Sequence, residues 1–330
     1  MAVVGCGAVI EQRYVHAFKK LKWMPSVLID PSPNRSKSVA GMLGGRFAEA
    51  GRALELAEAF DAAVVSVPHA LHEPLCLELL RAGKHVLVEK PMAETADSCA
   101  RMNHAAGEGG ARIAVALMRH QAPSLRWLKA ALNADAFGKV KRFTIREGYE
   151  YAWPLTTDAM WRKEQAGGGV LMDTGAHTMD QVIWWFGEPD DIEYFDDCDG
   201  GVEANCLIRM HWANGLEGEV ELTRTRVLSN TIKLTAEKGR LSLGITGTGV
   251  TGDEAMLGFA SPLGKPPFAP IAGPGLFVHL LSNFNQYAQG RDDANVVTGE
   301  QAARSVALIE RCYAARKRLN LPWIAYQEAV

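Results

Sequence analysis

The 330-residue sequence predicts an α/β protein in two parts. The first is a doubly wound parallel sheet; the second is an α+β domain built on a large open, mainly antiparallel sheet. Three observations predict this. Short β-rich runs alternate with helical stretches through the first third of the chain. A glycine turn, Gly5-Cys6-Gly7, joins the first run to the first helix. Beyond residue 118 the pattern changes to period-two alternation of apolar and polar residues.

The elements follow in order. Ala2-Val3-Val4 is a very short first strand, and a helix covers Glu11 to Leu21. Val27-Leu28-Ile29 is a second strand, ending at Asp30. Pro31 and Pro33 break the chain, and a second helix covers Arg35 to Leu43. Ala62 to Val67 is a strand closed by Pro68; His72 to Arg81 is a helix stopped at Gly83. His85 to Val88 is a strand ending at Glu89-Lys90-Pro91, Thr95 caps the next helix, and Ile113 to Ala116 is one more strand. Apolar runs without strict alternation suit a sheet covered on both faces. Strand–helix alternation implies right-handed crossovers. Residues 1–118 therefore form one domain, of Rossmann type, and residues 119–330 a second.

In the second domain a helix runs from Pro123 to Leu132. Strands cover Val140 to Arg146, Glu203 to Trp212, Leu216 to Thr225 and Asn230 to Ala236. Their alternation matches a sheet with one drier face. Gly244 to Gly275 reads as long loops. Helices cover Val278 to Ala288 and Glu300 to Leu319 and close the chain.

Composition excludes several classes. Lys plus Arg is 35 and Asp plus Glu is 38, a net charge of −3, so no general attraction to nucleic acid or anionic lipid is expected. With 48% apolar and 22% charged residues the chain is not of disordered type. No apolar run approaches the roughly 18 residues of a membrane span. The six cysteines are scattered, with no C-x-x-C pair, which predicts reduced thiols and a cytoplasmic protein. No signal peptide or metal site is expected.

The glycine turn points to a dinucleotide. The first glycine, Gly5, makes the tight turn, and Gly7 admits the pyrophosphate. Ala8, Val9 and Ile10 then open a helix whose N–H groups face the phosphates. Ile10 stands where a third small residue is usual. Asp30 ends the next strand 25 residues after Gly5, close to the spacing of an acid that binds the adenosine ribose. It favours NAD, because a 2′-phosphate is repelled there; Ser32 and Arg35 offer the alternative of NADP.

Two segments carry chemistry. Glu89-Lys90-Pro91 lies at the carboxyl end of a strand, where open α/β sheets bind ligands. After Gly167-Gly168-Gly169, a helix to Phe186 places Asp173, His177 and Asp180 on one face, at i, i+4 and i+7. An imidazole flanked by acids suits general acid–base work near neutral pH.

Together these residues resemble the Gfo/Idh/MocA family of NAD(P)-dependent oxidoreductases. The resemblance rests on Val4-Gly5-Cys6-Gly7, Ser66-Val67-Pro68 with His72, and Glu89-Lys90-Pro91. It continues through Trp161, the triple glycine, Asp173 to His177 with Asp180, and the last helix. It implies that Lys90 orients substrate and polarises the reacting oxygen, that His177 is the acid/base, and that Asp173 helps bind substrate. It also implies that Asp180 holds His177 or a substrate hydroxyl, and that Ser66, Pro68, His72 and Glu89 line the cofactor. Arg119, Tyr149, Trp161 and Arg162 are candidate substrate contacts. The implied activity is hydride transfer to or from a carbinol carbon of a sugar, cyclitol or sugar derivative, in a homodimer or homotetramer. An NAD-dependent glycosidase and a non-catalytic NAD(P) sensor are the rival readings.

Overall fold

The apolar runs of the first third become neighbouring strands. A computed structural model describes residues 1–45, 47–50, 52–155, 157–253, 256–257 and 273–320. In chain order the first unit holds β1 (Ala2–Val4), α1 (Val15–Leu21), β2 (Val27–Ile29), α2 (Pro33–Leu43) and β3 (Ala48–Ala50). It continues with β4 (Ala62–Val65), α3 (His72–Arg81), β5 (His85–Val88), α4 (Ala96–Glu108) and β6 (Ile113–Val115). The strands pair in parallel in the spatial order 3-2-1-4-5-6, the order of dinucleotide-binding sheets.

The central strands β1, β2, β4 and β5 bury both faces. Val4, Ile29, Val65 and Val88 point to one layer with Leu79, Cys99 and Met102. Val3, Leu28, Val64 and Leu87 point to the other with Ile10, Tyr14, Phe18 and Val39. Thr95 caps α4 as expected, its hydroxyl accepting from the Ser98 N–H at 3.1 Å. The β3 strand has no counterpart among the sequence expectations.

The second unit begins with α5 (Pro123–Asn133), β7 (Val140–Gly148), α6 (Lys163–Ala166) and α7 (Val170–Phe186). Then come β8 (Asp191–Asp196), β9 (Asn205–His211), β10 (Glu217–Thr223), β11 (Thr231–Ala236), β12 (Gly239–Gly244) and β13 (Thr251–Gly252). The chain returns through α8 (Gly273–Ala288), β14 (Val297–Thr298), α9 (Gly299–Ala314) and β15 (Arg316–Arg318). The second sheet runs β13-β12-β11-β7-β10-β9-β8-β15. It is antiparallel except for β7 with β10 and β8 with β15. Helices α5 and α7 bury one of its faces through Leu125, Leu128, Met172, Met179 and Val182. On the other face Arg146 pairs with Glu221, Arg209 with Glu219 and Lys317 with Glu193.

A division at residue 118 does not describe the C-terminal helices. Phe277, Leu280, Leu281 and Phe284 of α8 cover one face of the first sheet, while Ala302 and Val306 of α9 pack on the other. Val297–Thr298 joins that sheet as an antiparallel strand beside β6. Apolar coverage decides this: α8 completes the cover that Ile10, Tyr14, Phe18 and Val39 begin on that face. The last helix also ends earlier than its periodicity predicts. At Arg316 the chain becomes extended, because Arg316 reaches Asp196 and Lys317 reaches Glu193 from a strand. Of the expected loops of Gly244 to Gly275, residues 258–272 lie outside the described residues.

Candidate active site

The glycine turn sits where β1 meets β4. Gly5 has φ +86°, and a Cβ there would stand 2.1 Å from the Ser66 carbonyl oxygen. Only glycine fits both demands. The carboxylate of Asp30 braces the turn. Its Oδ2 accepts from the Cys6 N–H and its Oδ1 from the Ser32 N–H, both at 2.8 Å. Each carboxylate oxygen has two lone pairs, so acceptor capacity remains. Ser66 and Pro68 lie just past the end of β4, partly exposed. Gly7, Ala8 and Val9 are partly exposed at the start of the helix. Arg35 is in the first turn of α2. This cradle fits a dinucleotide: Gly5 to Val9 would hold the pyrophosphate and Asp30 the adenosine ribose.

Two expected cofactor contacts prove structural. Ile10 is fully buried among Val3, Tyr14 and Phe18. It opens a π-helical turn, Ile10–Tyr14, that precedes α1. A widened turn accommodates one extra residue, so a large side chain there turns into the core. His72 is also fully buried, with Nδ1 2.8 Å from Pro91 O and Nε2 3.0 Å from Val67 O, and its neutral ring donates its one N–H to one of these carbonyls. It ties the β4 end to the turn after Lys90. Glu89 is buried, and its Oε1 accepts from the Tyr14 hydroxyl at 2.9 Å. Burial pushes the Glu89 carboxyl up, against the opposing charge of Lys90 and the Tyr14 bond.

Lys90 leaves the carboxyl end of β5 and crosses to the second unit. Its Nζ donates to Asp173 Oδ1 at 2.5 Å and to Asp173 O at 3.2 Å. Asp173 lies in the first turn of α7, placed by the glycines before it. The Glu203 carboxylate caps that helix, accepting from the Gly169 N–H at 2.8 Å and the Leu171 N–H at 2.9 Å. A Cβ on Gly169 would stand 1.9 Å from Glu203 O, which accounts for the glycine. Burial works to raise the Asp173 carboxyl, but the charges of Lys90 and Arg224 outweigh it and hold it far below the usual carboxylate range.

His177 follows one turn later and is buried. Burial first, then the charges of Arg119 and Lys90, hold its imidazole well below the usual histidine range, so it is neutral at neutral pH. Its Nδ1 has no hydrogen-bond partner among the described residues.

Four other expected positions resolve differently. Asp180 does not hold His177: its Oδ2 is 2.6 Å from His120 Nε2, and the His120 ring stacks on Trp184 at 3.9 Å. Arg119 is buried, donating to Glu147 at 2.5 Å and to Gln181 at 2.9 Å, while its Nε has no hydrogen-bond partner among the described residues. Arg162 is exposed and pairs with Asp158, four residues back. Tyr149 stands outside the Asp173 group, half-exposed at the end of β7.

Two residues beside Lys90 were not foreseen as site residues. His69 is buried, bonds Ala166 O at 2.9 Å, and is pushed down to about 4 by burial and by Lys90. Arg224, just past β10, donates through Nη2 to Asp173 Oδ2 and to Gly169 O, both at 3.1 Å. Its guanidinium carbon lies 5.3 Å from the Tyr151 ring and 5.7 Å from that of Trp161. Neither falls in a motif with Lys90 or Asp173; only the pairing of strands brings them there.

Residues 1–117 match the model of the oxidoreductase family, NAD-binding Rossmann fold, and residues 125–242 that of the GFO/IDH/MocA C-terminal domain. The chain belongs to the Gfo/Idh/MocA oxidoreductase family. It is 30% identical over 132 residues to an NADP(+) scyllo-inositol 2-dehydrogenase of Bacillus subtilis, covering 40% of this chain and 36% of that one. It is 28% identical over 184 residues to a dTDP-3,4-didehydro-2,6-dideoxy-alpha-D-glucose 3-reductase of Streptomyces violaceoruber, covering 54% and 52%. These matches span about a third to a half of the curated relatives. The WlbA dehydrogenase from Bordetella pertussis, solved with NADH and UDP-GlcNAcA, shares the fold at TM-score 0.79 and 22% identity, over 95% of this chain and 94% of that one. A 3-ketoreductase from Actinomadura kijaniata, solved with NADP and TDP-benzene, does so at 0.79 and 18%, over 97% and 98%. Among the described residues no helix is long and apolar enough to cross a membrane, and no acid, His or Cys cluster of metal-binding type occurs.

Proposed function

We propose that the protein is an NAD(P)-dependent oxidoreductase of a sugar, cyclitol or sugar derivative, with NAD as the favoured cofactor. The observation that carries it is the reach of Lys90, from the first sheet, onto Asp173 of the second unit, one turn from a neutral buried His177. The nicotinamide, when bound, exchanges a hydride with a carbinol or ketone carbon. Lys90 Nζ donates to the reacting oxygen and offsets charge on it. The neutral imidazole of His177 takes the hydroxyl proton in oxidation and returns it in reduction. Asp173 orients Lys90, and Glu203 holds the helix that carries both Asp173 and His177. The relatives' activities on inositol and on a nucleotide-linked sugar support this substrate class. Assembly as a homodimer or homotetramer through the charged sheet face belongs to the same reading and is tested by sedimentation.

The deciding experiment is a screen of polyols, aldoses and ketoses with NAD and NADP, followed by reduced-cofactor absorbance. Lys90→Ala and His177→Ala are the controls. Reduction by the wild type and loss in both variants is expected; full kcat/KM in either variant refutes the roles.

A further inference from the structure

Arg224 is a buried cation with unmet hydrogen-bonding capacity. Its side chain is 4% exposed. Nη2 is used by Asp173 and Gly169, but Nε and Nη1 are buried with no hydrogen-bond partner among the described residues. The Tyr151 and Trp161 rings do not meet that need, since a ring answers a guanidinium through its π-face rather than as an acceptor for N–H groups in its plane. Leaving a buried charged group's donors unpaired is costly. Each such group in a folded protein calls for an explanation, and a bound ion or ligand is one.

The charge balance at the site agrees. Lys90 and Arg224 share one carboxylate, Asp173, through its two oxygens. The two histidines nearby, His69 and His177, are neutral at neutral pH. Lys90, Arg224 and Asp173 taken alone sum to one positive charge, and the buried Glu89 carboxyl, pushed up by burial, stands beside Lys90. The chain that covers Arg224 is irregular: Tyr151 is half-buried, and Trp161 is 47% exposed in a short turn before α6.

We infer that Arg224 receives an anionic group of the substrate, and that the preferred substrates are carboxylate-bearing sugars such as uronic or aldonic acids. This rests on the oxidoreductase reading for the reacting end of the molecule. A carboxylate oxygen that reaches the free Nη1 or the Nε–H would form a charge-assisted hydrogen bond there. Tyr151 and Trp161 lie against the same cation and offer apolar faces to a sugar ring.

The test uses matched pairs: D-glucose with D-glucuronate, and D-galactose with D-galacturonate. Binding to the full-length protein is measured by calorimetry with NAD present, and turnover by NADH absorbance. At least one acid is expected to bind tenfold or more tighter than its neutral partner. Arg224→Gln should cut the acid-to-neutral ratio at least tenfold, and Arg224→Lys should restore part of it. A purely structural arginine would lower both members of a pair alike and leave the ratio unchanged, which overturns the inference. So does wild-type protein that binds neither acid more tightly than its neutral partner. Arg224-dependent binding of an acid without any NADH formation upholds the anion site and refutes the oxidoreductase reading instead.

Discussion

Lys90 and Asp173 belong to different sheets' units, yet Nζ and Oδ1 stand 2.5 Å apart. Each is 18% exposed, so the pair faces the cleft rather than the core. On the proposed roles, removing the ammonium takes away a donor to the reacting oxygen and one of the two cations that hold Asp173 ionised. Lys90→Ala is expected to lower kcat/KM by about 10²–10⁴-fold, the range for a lost electrostatic or acid–base group. Asp173→Asn should cost less, about tenfold to a hundredfold, because Lys90 remains but loses its anchor. Steady-state kinetics on the best substrate would decide it, and a larger loss in Asp173→Asn than in Lys90→Ala contradicts the order.

The depressed basicity of His177 sets the pH profile. Burial and the charges of Arg119 and Lys90 disfavour its protonated form. In the oxidation direction kcat/KM should therefore stay flat from pH 8 to pH 6, where an ordinary histidine with a pKa of about 6.5 would lose activity. An acid limb centred above pH 6.5 that vanishes in His177→Gln would show that the imidazole titrates normally.

Stability should also fall on mild acidification. Burial is the main reason that His69 is pushed down to about 4 and His72 to about 3. Unfolded histidines bind a proton near 6.5, folded ones only at these lower values. Between about pH 6 and pH 4 the unfolded chain holds more protons, so unfolding is favoured as pH falls. Each residue contributes a slope of about 1.4 kcal/mol per pH unit in that window. Urea melts at pH 7, 6 and 5 should show it, and His69→Asn, which keeps a donor for Ala166 O, should remove one such increment. Equal slopes in the variant and the wild type refute it.

The C-terminal helix α8 should be essential to the first domain. Phe284 is fully buried against the sheet face that holds Val3, Leu28 and Leu87. Phe284→Ala is expected to destabilise by about 3–5 kcal/mol through lost burial and the cavity left behind. A chain ending at residue 118 should fail to give a cooperative urea transition. A well-folded 1–118 fragment would show that the sheet needs no cover from α8.

Much of this architecture was legible because it is local. The parallel strands announce themselves as unbroken apolar runs, and Thr95, Gly5 and the helix after Gly169 rest on short-range rules. What escaped is what depends on distant pairing. β14 is two residues long and carries no pattern of its own. Helical spacing puts Asp180 on the face of His177, but its carboxylate meets His120, from another segment, and not His177. Arg224 looked like any strand-end arginine until β10, α7 and the segment around Tyr151 converged on it. Spacing reports which residues share a face; it does not report which partner from elsewhere gets there first.

Asp30 gives the sharpest test of the cofactor reading, because it has a second task. Its two oxygens already hold the Cys6 and Ser32 N–H groups. Asp30→Ser therefore loosens the glycine turn, which lowers kcat/KM for either dinucleotide. On the proposed cofactor placement it also removes a negative charge from beside the ribose, which helps only the one with a 2′-phosphate, since juxtaposed like charges cost several kcal/mol. The ratio separates the two effects. The kcat/KM preference for NADP over NAD is expected to rise at least tenfold, about 1.4 kcal/mol. If both values fall by the same factor, Asp30 is only a brace for the turn, and the NAD preference must rest on other residues.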